Sequence, residues 1–413
     1  MKNVCRLCLC CFLSVSMLFG CQSIPPDRRK SETETRAGTE TTNIEEGKET
    51  EGDMSVFGYS VFYFGAVGDG VTDDTAAIQK GIDFLAKRGG GKLLFPYTQG
   101  GYRIASPGKE KLNGKPLRSQ LYIPSGSHNI QLEGEMPCKM LYSYQVRPDD
   151  GKYEPTVFGH QSRCNTRIFS DWIPPEEHDP TARPWSILSA PEGTSCAGKF
   201  SVDQFSICNL EFAVKLDKEK MYPTQSAVNL GNVSRVNICD SQFCLSENIG
   251  DTFLNKELQK NPCHVAGLIT SQDQNDDVVL RNVAVQGFRY GFVLGEHVVA
   301  DYLYVHNCEE GITFHDSSHL SVINHIVAQH NAIILSTTDV ELYGNKKGRC
   351  NVIVGSLNFE CGTGLKPAVD QLQYGVKDTE NRLRGSLIWH KPWGEKVFPV
   401  LGAENYEIRK FGS

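Results

Sequence analysis

Two segments of the 413-residue chain carry charged side chains at matching places: VQGFRYGFVLGEH from Val285 and VHNCEEGITFHDS from Val305. They align without a gap at an offset of 20 residues, and VAQHNAIILST follows from Val327, 22 residues further on. The first alignment sets Arg289 and Tyr290 beside Glu309 and Glu310, and Glu296 beside Asp316, with His297 and His315 close by. The third segment brings His330 and Asn331 next in line. If these segments are adjacent parallel strands, about 4.8 Å apart, stacked carboxylates repel and one is pushed toward the range where it donates a proton. Glycoside hydrolysis needs this arrangement: one carboxyl protonates the leaving oxygen while the other activates water or attacks the sugar. Glu309, Glu310, Glu296, Asp316 and His315 are therefore the candidate catalytic residues. Arg289, Tyr290 and His330 are candidates for holding the sugar ring or an acidic substituent.

The same residues admit other chemistry. A lyase would use Ca²⁺ to neutralise a uronate carboxylate and a basic side chain to take the C5 proton. Arg281 or Arg289 would be that base, with Glu309, Glu310 and Asp277 as oxygen ligands. A hydrolase needs no cofactor, and His319, His325 and His330 show no HxH or HExxH spacing, so no metal site is expected. Charged pairs at strand corners also serve as solvated edges, and a surface protein that binds glycan without converting it would present the same groove.

To bring such residues together the chain must coil repeatedly, each coil stacking on the next. FSICNLEF from Phe205 and VNICDSQF from Val236 repeat at an offset of 31 residues. Alternating Val, Ile and Phe with Asn, Gly, Asp and Ser between them predicts short strands joined by tight turns. Cys208 and Cys239 match in these two segments, which predicts stacked, buried thiols. Residues 140–191 break the pattern and carry DWIPPEEHDPTARPW, so a long loop over one face is expected, with Trp172 and Trp185 able to stack on sugar rings.

Upstream, Thr72-Asp73-Asp74-Thr75 followed by Ile78, Ile82 and Leu85 predicts a capped helix, with Asp69, Asp73 and Asp74 serving as capping groups. Gly89–Gly91 ends it, and a strand then runs to Pro96. This stretch, FGAVGDGVTDDTAAIQKGID through GGGKLLFP to GYRI, resembles the N-terminal segment of the pectate lyase superfamily over Phe64 to Ile104. The resemblance implies an all-β, right-handed, single-stranded parallel β-helix whose open end is capped by the short N-terminal helix. It also implies polysaccharide-directed activity of the polygalacturonase or pectate lyase kind. Polygalacturonases carry NTDG, DD, GHG and RIK motifs. This chain has NCEEG, with Glu310 where the first motif has aspartate, and neither GHG nor RIK.

The N-terminus, with Met1, Lys2 and Arg6 before an apolar run ending at Leu18-Phe19-Gly20-Cys21, resembles a bacterial lipoprotein signal. That implies a signal at 1–20, a lipid on Cys21 and an envelope location, although an ordinary signal peptide or an uncleaved anchor shares these features. Residues 21–54 are rich in Glu, Thr and Lys and lack aromatics, the composition of a disordered tether. The remaining 55–413 is read as one β-helix domain, monomeric. A net charge of -7 and no basic cluster with interleaved aromatics speak against nucleic acid as a partner. Of 15 cysteines, ten belong to the domain; export permits disulfides, but no zinc spacing occurs.

Overall fold

The computed structural model describes residues 57–138, 144–146, 153–155, 165–175, 179–192, 201–246, 257–258, 260, 263–270, 277–315, 321–329, 331, 333–337, 343, 351–360, 382–390 and 406–411. Contacts divide the chain into 1–50 and 51–413. The expected signal, Cys21 and the tether lie outside the described residues, as do Asp316 and His330.

Between residues 226 and 360, consecutive strands fall alternately into two sheets; the two later described strands, Arg382–His390 and Tyr406–Phe411, both extend the larger one. Ser226–Asn229, Ala266–Ile269, Tyr290–Leu294, Glu310–Phe314 and Ile333–Thr337 follow one another in the smaller sheet. Val236–Leu245, Val278–Gln286, Val298–His306, Ser321–Gln329 and Asn351–Glu360 do so in the larger. Each pairs in parallel with the strand two places later, so the chain winds back and forth between two growing stacks.

Inward columns of apolar residues hold the stacks together. Ile207, Ile238, Leu280, Ala300 and Ile323 lie in register and are fully buried, and Phe212 stacks on Phe243 at 5.9 Å. Each such side chain contributes roughly 1.5–3 kcal/mol on burial, but only with a neighbouring coil to cover it. Asp240 and Asn282 turn the corner within their strands at φ 47° and 54°, a conformation that Asn and Asp tolerate best after Gly. The Asn282 amide donates to Asp240 Oδ1 at 2.6 Å, linking two corners.

Two of the repeat offsets read from sequence match the register: Phe205 pairs with Val236, and Val285 with Val305. The third is off by one. Val305 pairs with Ala328, while Val327 faces half-exposed beside Tyr304. A match of valine to valine therefore placed an outward residue in an inward column. Residues 140–191 are not simply a loop, because Arg167–Ser170 and Ser186–Ser189 add strands to the two stacks. Cys208 and Cys239 are not free packing thiols; they form a disulfide across adjacent strands, with Cα atoms 4.7 Å apart.

Helix α1, Thr75–Arg88, buries Ile78, Ile82 and Leu85 and packs on the first strands of both sheets. Gly81 is required there, since a Cβ would lie 2.8 Å from Leu93 and 3.0 Å from Phe64. The aspartates are structural, and the expected capping falls to Asp73, whose Oδ1 accepts from the Thr75 amide at the start of the helix at 3.1 Å. Asp74, at the N-cap position, accepts instead from the Val67 and Gly68 amides. Asp73 joins Thr75 to Ala105 and Ser106. Burial would raise its carboxyl, but those hydrogen bonds hold it at about 2.

Candidate active site

The candidate site forms where strands of the smaller sheet begin. Tyr290 and Glu310 are register partners, and the residue before each, Arg289 and Glu309, faces its neighbour across the same step. The Arg289 Nε lies 2.9 Å from Glu309 Oε2, with the two side chains only 17% and 12% exposed. Arg289 Nη1 donates to the Cys263 carbonyl at 3.3 Å, and its guanidinium sits 5.8 Å from the Tyr290 ring centroid. The sequence-aligned pairs thus meet as expected, but as a cation clasping one carboxylate and not as two opposed acids.

Electrostatics separate the members. Burial pushes the Glu309 carboxyl up, to about 7, against the lowering pull of Arg289 and with Glu310 adding to the rise. Burial, with Glu310 next, also raises the Tyr290 phenol, so it stays protonated through the neutral range. Glu310 Oε2 accepts from the Thr313 hydroxyl at 3.0 Å. Tyr343 closes over this face: its ring meets Tyr290 edge-on at 6.5 Å, and its hydroxyl donates to the His264 carbonyl at 2.8 Å. His315 packs against the same ring and is 1% exposed; burial holds its imidazole down to about 3, so it is neutral and carries no proton to donate as a cation.

Other sequence candidates fall elsewhere. Glu296 is buried beyond the end of its strand, and its expected partner Asp316 lies outside the described residues. The register seats Ile333 beside Glu310, so of the expected third-segment pair Asn331 falls level with Cys308, one step before the two glutamates, while His330 lies outside the described residues. Asn331 instead accepts from the Cys308 amide and donates to the Val305 carbonyl. Arg281 pairs with Cys239 in the larger sheet, away from Arg289. Sequence reasoning missed Tyr343, which belongs to no repeat, and Thr313, whose role depends on its reach to Glu310.

The start of the smaller sheet continues this edge toward the tryptophans. Trp185 precedes Ser186, which is in register with Ser226. Trp172 and Trp185 contact edge to face at 5.1 Å; Trp185 is 6% exposed and Trp172 half-buried. Trp185, Ile173, Tyr222 and His264 line a cavity of about 80 Å³. Buried Arg183 fixes the segment, donating to the Leu117 carbonyl at 3.1 Å and to Ser189 and Ala190. Trp185 therefore forms a wall, leaving Trp172 the more open face. His264 adjoins both this cavity and Tyr343, so cavity and ion pair share one edge of the sheet.

No family model matches the chain. Mannuronan C5-epimerase AlgE5 of Azotobacter vinelandii is 48% identical over 66 residues, 16% of this chain and 6% of that protein. Alginate lyase 7 of the same organism is 43% identical over 65 residues, 16% of this chain and 7% of that one. The chain thus matches only a small part of these relatives' length. Among solved structures, the A-module of Azotobacter vinelandii epimerase AlgE6 aligns over 86% of this chain and 100% of its own, at 14% identity and a TM-score of 0.29. The tailspike of Escherichia coli bacteriophage HK620, in complex with a pentasaccharide, aligns over 81% of this chain and 57% of its own, at 13% identity and a TM-score of 0.39.

Among the described residues, no three His, Cys, Asp or Glu side chains converge on one point. Calcium takes six to eight oxygens; Glu309 is committed to Arg289, and Asp277 lies on the larger sheet's side of the fold. The lyase ligand set expected from sequence does not assemble.

Proposed function

We propose that this protein is a right-handed parallel β-helix enzyme that acts on a uronate-containing polysaccharide by removing the proton at C5 of a uronate unit. The observation that carries the reading is the half-buried Arg289–Glu309 pair beside Tyr290. Right-handedness rests on the rule that parallel strands of one sheet are joined by right-handed crossovers in about 98% of cases.

A guanidinium binds a carboxylate in a fork. A uronate carboxylate on Arg289 has its charge neutralised, which makes the adjacent C5–H more acidic. It also competes with Glu309 for the guanidinium, and a carboxylate poised near 7 and losing its cation becomes the base. The C5 proton passes to Glu309 and the electron pair is stabilised by the neutralised carboxylate. In elimination that pair forms the C4–C5 double bond, the C4–O bond breaks, and the departing oxygen takes the Tyr290 proton. In epimerisation the C4–O bond stays, Tyr290 gives its proton to C5 on the opposite face, and the proton held by Glu309 returns to Tyr290 through solvent. The two outcomes share their first step.

The likeness to mannuronan C5-epimerases and an alginate lyase supports this chemistry over hydrolysis. In this reading Trp172 and the Trp185 cavity hold sugars along the same edge, without taking part in proton transfer. The protein works as a monomer in the bacterial envelope, anchored through lipid on Cys21 and reaching its polymer on the 21–54 tether. The Cys208–Cys239 disulfide, of a kind that persists in oxidising compartments, supports export.

The test is incubation with polymannuronate and polygalacturonate, following unsaturated uronate ends by ultraviolet absorbance alongside reducing ends. Unsaturated ends, or inverted C5 centres without chain cleavage, are expected. Reducing ends alone would return the account to hydrolysis by paired carboxylates, and polymer retained intact would mark a glycan-binding protein.

A further inference from the structure

A second cleft lies at the N-terminal end, between helix α1 and the strand Lys115–Tyr122. It encloses about 590 Å³, within the size range of small-molecule sites. One wall is a stripe of α1 on which Ala76, Lys80, Asp83 and Lys87 recur at helical spacing. The other carries Lys109 and Tyr122, with the ammonium 4.6 Å from the ring centroid. The Gln79 amide sets the separation of the walls. It donates to the Tyr122 carbonyl and accepts from the Tyr122 amide, both at 2.9 Å, as a neighbouring strand would.

Charge in this cleft is unbalanced. Lys80, Lys87 and Lys109 all reach it, and none has a carboxylate partner among the described residues. The one acid on its wall, Asp83, accepts from Gln79 at 2.9 Å. Behind Thr75 and Ser106, Asp73 is held by their hydroxyls. Lys109 lies on the Tyr122 ring and Lys80 and Lys87 line the same cleft, so attraction for anions is combined with an aromatic surface suited to the C–H face of a pyranose.

We propose that this cleft is a second saccharide site, taking a sugar that carries carboxylate groups. It lies on α1 and the first strands, whereas Arg289 and Glu309 lie on strands that begin well over a hundred residues later. It is a holding site for an anionic chain and performs no chemistry. The inference does not rest on the reaction assigned to Arg289 and Glu309, because it concerns binding alone.

Lys80 and Lys87 are exposed, so their replacement leaves the fold intact. The full chain is titrated with a short mannuronate oligomer and, as control, the matching neutral mannose oligomer, with backbone amide shifts of α1 and of Tyr122 followed by NMR. For wild type, mannuronate shifts these amides, the neutral oligomer does not, and added salt weakens the effect. Lys80→Glu with Lys87→Glu is expected to weaken that response about tenfold or more, while Arg289→Met leaves it unchanged. An unchanged titration in the lysine variant, an equal response to the neutral oligomer, or loss of the response in Arg289→Met would each overturn the proposal. Failure of C5 chemistry would leave these shifts in place, so the two readings fail separately.

Discussion

Among the described residues, two arginine–glutamate pairs bridge neighbouring strands, and they are built for different ends. Arg167 Nε lies 3.0 Å from Glu211 Oε1, and the other Glu211 oxygen accepts from Asn165 at 2.9 Å and Gln242 at 2.5 Å. That carboxylate is 1% exposed with donors on both oxygens. Glu309 is 12% exposed, yet its partner is Arg289, and among the described residues it has no amide donors of the kind that surround Glu211. A buried carboxylate with several donors is held in place by all of them; one that depends on a single cation is released when another carboxylate takes that cation. The difference marks the first pair as structural and the second as chemical.

The contrast is sharpened first by breaking the chemical pair. Arg289→Met is expected to lower kcat/KM on a uronate polymer by about 10³-fold, the scale of losing a charged group that stabilises the reacting centre; the Glu309 carboxyl left behind, already raised to about 7, takes up a proton, so the unfolding midpoint falls less than in the structural pair. Glu211→Ala should do the reverse. It leaves the half-buried Arg167 guanidinium and the buried Asn165 and Gln242 amides without their acceptor and costs about 3 kcal/mol or more in denaturant titration, while the protein that remains folded keeps its rate. Equal effects of the two variants on rate would erase the distinction.

Cys208→Ser with Cys239→Ser removes a cross-link between neighbouring strands and is expected to cost about 2–4 kcal/mol, again with kinetics unchanged. The pH dependence is a gentler probe. Because burial raises Glu309 to about 7, kcat/KM should climb as pH rises through that value and the base ionises. Stability moves the other way. A carboxyl whose folded value is raised contributes stability that is full below its unfolded value of 4.5 and is lost as pH rises through about 7. Glu309→Gln should flatten the stability trend across this window, which thermal melts at several pH values will show.

How far the sequence reached follows from what each signal depends on. The offsets of 31 and 20 residues were legible because inward columns repeat bulky apolar residues that must stack, Ile207 on Ile238 and Val285 on Val305. The third was misread because Val327 is an outward valine, and hydrophobicity alone does not tell the two faces of a strand apart. The meeting of Arg289 with Glu309 followed from register, but its meaning did not. Opposed acids and a clasped ion pair look alike until side-chain directions are known. Tyr343 and Arg183 come from segments with no periodicity. Cys208 and Cys239 aligned correctly, and only their separation of 4.7 Å between Cα atoms distinguishes a bond from a contact.

The most direct test of the central claim is to incubate the full chain with polymannuronate in deuterium oxide and follow C5 by NMR, for wild type and Glu309→Gln. Proton abstraction by Glu309 predicts deuterium at C5 or unsaturated ends in the wild type, and neither in the variant. Reducing ends that accumulate with C5 still protonated, or undiminished exchange in Glu309→Gln, would contradict it.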